Sequence, residues 1–276
     1  MKRFLIAVFA LTGLAAPAQT TGLLMRIAFG SGLDTDRPQP IWSAVASNRP
    51  DLFVYLGDRL GSNAVAATNC EVRWTQAEGF GSRIIGSPGR LIQIIWLNTL
   101  AVHNPTSPTP LLDAEQWTWF REQLRKPAQF RIVASGIPVL SEDHQGEKWV
   151  DWPRDNRLLY DMITDTEADG IVFVSGGRHK AELSMLGDKT PYPLYDLTTS
   201  PMNTMANEPV EEINRRGISD VVRDNNFGLV TIDWSTPDPA ISLEIRDERG
   251  AARIQHTVPL SALQLISYDP QDVRFR

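Results

Sequence analysis

The stretch VFVSGGRHKAEL, Val172–Leu183, decides how the chain is read. An apolar run is stopped by the pair Gly176-Gly177 and followed at once by Arg178, His179 and Lys180. Continuous apolar runs of this length belong to strands buried on both faces. A glycine pair and a histidine at such a strand's carboxyl end place a ligand at the mouth of a pocket. The neighbouring segments repeat the pattern. LLMRIAFGSG and PDLFVYLGD are buried strands that run out into small or acidic residues, and QPIWSAVASNR between them has Ile41, Trp42, Val45 and Ala46 at helical spacing after Pro40. Strand, helix and strand of this kind imply a parallel pair joined by a crossover.

Further on, GFGSRIIGSPGRLIQIIWLNTL reads as a hairpin about the turn SPG, and DAEQWTWFREQLRK as a helix with Asp113 as its N-cap. FRIVASGIPV is another buried strand, and RDNRLLYDMITDTEADG a helix stopped at Gly170. The alternating stretches YPLYDLTTSPM, FGLVTIDW, AISLEIRD and RIQHTVPL suggest an antiparallel C-terminal sheet, whereas residues 59–79 show little periodicity. Mixed strand–helix alternation followed by strands argues an α/β sandwich of two sheets with helices outside. No Gly/Ser linker or internal repeat divides the chain, so residues 19–276 read as a single domain.

The N-terminus supplies a charged MKR, the apolar run FLIAVFALTGLAA and the small-residue box APA before Gln19. That order predicts a signal peptide over residues 1–18 and an exported protein, periplasmic or secreted. No later run reaches the roughly 20 apolar residues that span a membrane, so no anchor is expected in the mature chain. A net charge of −6 without a basic block gives no footprint for nucleic acid. One cysteine, Cys70, excludes an intrachain disulfide and a thiolate zinc cluster.

Collected at the strand ends are Gly32, Asp34, Asp58, Asn98, Gly136 and His179. Carboxylates with an imidazole form a partial oxygen/nitrogen site suited by hardness to iron, manganese, zinc or calcium. Taken singly, such aspartates also cap helices and turns, and a lone histidine is commonly structural. Arg59, Arg178 and Lys180 could bind a phosphate-like anion, since guanidinium matches an oxyanion bidentately. The other reading makes Lys180 a solvated charge and pairs Arg178 with an acid. His144 reads as a loop residue, and the tryptophans Trp117, Trp119, Trp149 and Trp152 as packing.

In order along the chain, RIAFGSGLDTDRPQPIW, RPDLFVYLGD, GSPGRLIQIIWLNT, LDAEQWTWFREQLRKPAQFRIVASGI, EDHQGEKWVDWPRDNRLLYDMI and ADGIVFVSGGRHKAELS resemble the alkaline phosphatase D (PhoD-like) family of secreted metallophosphoesterases. The resemblance covers Arg26 to about Pro201. It implies a four-layer αββα, calcineurin-like sandwich, and a metal-activated hydroxide attacking a phosphate mono- or diester. It matches Asp58 to the bridging aspartate and His179 to the histidine of the SGDRH motif, with Asp34 able to reach a metal. Arg59 and Arg178 become candidates for the phosphate.

Four departures stand against that site. The family's GSC is met by Gly32 in place of cysteine, and the later Asp of GDNIYGD by Asn63. SGDRH becomes SGGRH with Gly177, and the long segment carrying a WDDHD-like stretch has no counterpart between Leu60 and Gly89. Arg59 beside Asp58 further opposes cations there. The expectation is a phosphoesterase by descent with impaired catalysis. Its alternative is a non-catalytic anion-binding or scaffold protein on the same fold.

Overall fold

The computed structural model describes residues 23–57, 70–74, 79–99, 109–142, 146–204 and 213–265, with only the backbone of 71–74. The predicted signal segment, Asp58, Arg59, Asn63, His103 and His144 lie outside the described residues.

Two six-stranded sheets face one another. The first runs in the order β12-β11-β10-β1-β2-β3, with β1 at Leu24–Gly30, β2 at Leu52–Tyr55, β3 at Glu71–Trp74, β10 at Asn226–Asp233, β11 at Ala240–Asp247 and β12 at Ala252–Pro259. The second runs β4-β5-β6-β7-β9-β8, with β4 at Gly81–Ile85, β5 at Ile92–Trp96, β6 at Phe130–Ser135, β7 at Ile171–Ser175, β8 at Glu182–Leu186 and β9 at Leu194–Thr198. The inward faces pair Ile27, Phe29, Val54, Val230 and Leu243 with Ile94, Ile132, Val172, Val174 and Leu197 in one buried cluster. Phe29 sits opposite Gly228, where an added Cβ would lie 2.2 Å from its ring. The bulk of Phe29 fills the seam because its partner has no side chain.

Helices cover both outer faces. α1, Ile41–Ser47, buries Ile41, Trp42 and Val45 against Phe53, Tyr55, Phe227 and Leu229 of the first sheet. α2, Ala114–Leu124, and α3, Pro153–Asp165, lie on the second sheet with Trp117, Phe120, Leu159 and Met162 turned inward. Asp113 caps α2 as expected, accepting the Gln116 amide at 2.7 Å. From β6, the buried guanidinium of Arg131 donates to the carbonyls of Lys126 and Ala128 beyond the end of α2, at 2.6 and 3.1 Å. It also reaches Asp169 at 2.6 Å, fixing helix, strand and loop together.

The layers are therefore α, β, β, α, the sandwich that the sequence predicts. β1 and β2 are parallel, and β4 and β5 form the hairpin. Two expectations need correction. The C-terminal strands make no sheet of their own: β10–β12 extend the first sheet through β1, while β9 inserts beside β7 in the second. β3 and β8 are two further strands that the sequence-based expectations do not include, each alternating polar and apolar residues over only four or five positions.

Candidate functional site at the strand ends

At the carboxyl ends of β1 and β7 the chain turns through left-handed backbone. Gly32 has φ +66°, Gly177 φ +79° and His179 φ +55°. For a histidine this region is uncommon, and it turns the chain sharply between β7 and β8. His179 donates its backbone N–H to Ser200 Oγ at 3.0 Å, and Gly177 donates to Ser31 Oγ at 3.2 Å. Ser31 in turn donates to the Thr199 carbonyl at 2.9 Å. His179 is half-buried at this junction of the two sheets.

Asp34 stands on the loop after β1, and its carboxylate folds onto its own loop. One oxygen accepts the Asp36 amide at 2.9 Å, and the other meets Arg37 Nε at 3.0 Å. Its backbone is bound to Asn203, whose Oδ1 accepts the Asp34 amide at 2.6 Å. Asn98 also lies at a strand end, its amide and carbonyl tied to the Gln116 side chain.

Arg178 turns away from the strand ends into the protein. Its guanidinium is 2 % exposed and engages Glu182, with Ser141 Oγ at 2.9 Å. Burial lowers its pKa and Glu182 opposes that, so it stays a cation held by an acid. That is the ion-pair arrangement which the sequence reading weighed against phosphate binding. Lys180 departs from its reading as a solvated charge, because it is 2 % exposed. Burial, then the Arg178 charge, pull its pKa down to about 8.

A polar layer, unforeseen from sequence, lies buried beneath these loops on the helix side of the second sheet. Asp196 is fully buried and accepts the amides of Val139 and Leu140 at 2.7 and 3.0 Å, and the hydroxyl of Ser175 at 2.7 Å. Its pKa is raised, chiefly by burial. Glu182 accepts from Arg178, Ser141 and Asn214. Only the four-residue spacing of Arg178 and Glu182 hinted at this, and nothing in the sequence marked Asp196 or Asn203.

Do these residues fit two metal ions? Among the described residues no three His, Cys, Asp or Glu side chains come together as a ligand group. The two glycines fail on geometry as well as chemistry. A Cβ on Gly177 would stand 2.7 Å from the Gly136 carbonyl oxygen. One on Gly32 would stand 3.0 Å from both Ser200 Oγ and Thr204 Oγ1. Among the described residues His179 remains, with Asp34 already engaged. The donors among the described residues do not fit a dinuclear centre.

Two clefts lie away from the strand ends. One of about 490 Å³, lined by Arg90, Gln129, Trp234 and Asp238, opens at the opposite end of the sheets. Another of about 420 Å³ lies between Trp117 and Trp152.

No protein-family profile and no curated protein matches the sequence. Solved structures do. The structure of PhoD superposes with a TM-score of 0.61 at 12% identity, over 89% of this chain and 72% of that one. The fold is PhoD-like. GAP50, described as the anchor in the inner membrane complex of Plasmodium, superposes with a TM-score of 0.62 at 13% identity, over 86% of this chain and 89% of that one. At such identities the PhoD likeness extends to the layers and their order, not to the residues at the strand ends. The second likeness puts a protein described as an anchor on the same architecture.

Proposed function

We propose that this chain is an exported relative of the PhoD-type phosphoesterases that binds a phosphate-like anion at its strand ends and has lost most of its hydrolytic power. The observation that carries the reading is the replacement of ligand positions by Gly32 and Gly177, each in left-handed backbone and each closely backed by other residues. Generating hydroxide at neutral pH needs a cation held by several anionic or imidazole donors. Asp58 and His179, with Asp34 turned to Arg37, supply too few for two iron, manganese, zinc or calcium ions. Arg59 and the histidine corner are the groups offered to a phosphate ester or phosphate-like anion. Arg178 adds positive charge from below while held by Glu182.

Hydrolysis of p-nitrophenyl phosphate and bis(p-nitrophenyl) phosphate by the purified chain, with added divalent ions, tests this directly. Turnover at background, together with calorimetric binding of inorganic phosphate that survives EDTA, is expected. Metal-dependent turnover at the level of an ordinary phosphatase would refute it.

A scaffold role on the same fold is the second reading. Ile213, Ile218 and Val221 favour it, standing exposed near β8, where Gly217 bridges to Ser184 and Val222 to Ala181 just before the strand. Absence of any phosphate binding would move the function to this reading.

A further inference from the structure

The connection from β9 to β10 binds the strand ends of both sheets. The Gly32 carbonyl accepts the successive amides of Met202, Asn203 and Thr204 at 3.1, 3.3 and 3.2 Å, and the Thr204 hydroxyl at 3.0 Å. Three consecutive N–H groups converging on one oxygen form a nest, the arrangement that elsewhere holds an anion. The Asn203 side chain accepts the Asp34 amide, and donates to the Asp34 and Pro38 carbonyls at 2.8 and 3.2 Å. Ser200 Oγ accepts the His179 amide, and the Ser200 carbonyl accepts Asn226 Nδ2 at 2.8 Å. Met202 is fully buried and covers Gly30, where a Cβ would meet its sulfur at 2.7 Å.

These bonds join loops that lead out of β1, β7 and β9, two from one sheet and one from the other. Ions ligated from both sheets would tie the same loops. Here the ligand positions Gly32 and Gly177 have no side chains, and the room a side chain at Gly32 would need is taken by Ser200, Pro201 and Thr204.

We infer that residues Thr199–Thr204 form a metal-independent clasp, which replaces ions in holding the strand ends together and closes the Gly32 side of the centre to them. The claim concerns stability and is independent of whether the strand ends bind phosphate. Its test is the thermal midpoint of the full chain in excess EDTA, and with added Mn²⁺ or Zn²⁺. The wild-type midpoint is expected to be unchanged in all three conditions. Asn203→Ala, which removes three hydrogen bonds, is expected to lower it by roughly 5–10 °C in each.

Should Asn203→Ala not fold, Thr204→Val, which removes only the hydroxyl bond to the Gly32 carbonyl, is expected to show a smaller loss, again insensitive to EDTA. A midpoint that falls on chelation, or rises with either ion, would overturn the clasp, as would an Asn203→Ala protein as stable as wild type. Phosphatase turnover in a chelator-insensitive protein would refute the proposed function and leave the clasp standing.

Discussion

Replacing Asp196 separates the need for its charge from the need for its oxygens. The carboxylate is enclosed, with one oxygen on the Val139 and Leu140 amides and the other on the Ser175 hydroxyl. Asp196→Ala leaves two buried amides without an acceptor, at about 1–3 kcal/mol each. The Ser175 hydroxyl can turn to Thr198 Oγ1, 2.9 Å away, and escapes the loss. The expected cost is therefore about 3–5 kcal/mol. Asp196→Asn keeps an oxygen for both amides and offers its NH₂ to Ser175, so near pH 5 it should cost within about 1 kcal/mol.

Charge adds a pH dependence of known sign. Burial raises the Asp196 pKa from the ordinary 3.8, so folding disfavours its ionised form relative to the unfolded chain. The stability this contributes is fully present below the unfolded value and is lost as pH rises through the folded one. Asn does not titrate, so Asp196→Asn should gain on wild type as pH rises from about 4 toward 8. Denaturant unfolding followed by tryptophan fluorescence at pH 5 and pH 8 reads both effects. If Asn proves as damaging as Ala at both pH values, the site requires an ionised carboxylate and the reasoning is wrong.

Other substitutions test the packing from which the site is built. Glu182→Ala strands the buried Arg178 guanidinium and should cost about 3–5 kcal/mol, whereas replacing both by apolar residues of similar volume should cost less, a double-mutant cycle measured by denaturation. Gly228→Ala drives a methyl into the Phe29 ring and should cost about 1–3 kcal/mol, recovered in part by Phe29→Leu. Asp113→Ala removes the α2 cap for about 1 kcal/mol, visible as a lower thermal midpoint.

The architecture was legible because its signals are local. Val172–Ser175 and Ile132–Ser135 are short apolar runs of the kind that strands covered on both faces present, and Asp113 announces α2. The sheet to which β9 belongs was not legible, since its alternation fits either sheet and the choice rests on pairing with Val172–Ser175. At the site, the sequence located the glycines and the histidine but not what fills the space beside them. Asn203 meets Asp34 across 169 positions, and no local pattern encodes that contact. Arg178 was placed at the right corner with both of its roles open. Glu182, four residues on at the start of β8, decides where its guanidinium goes.

The central proposal is that a PhoD-like fold persists here without the donors to hold two metal ions. Elemental analysis of the folded chain, purified without chelator, tests it most directly. The account predicts iron, manganese, zinc and calcium together well below one ion per chain, unchanged in an Asp58→Ala, His179→Ala double variant. About two ions per chain in the wild type, lost in that variant, would contradict it.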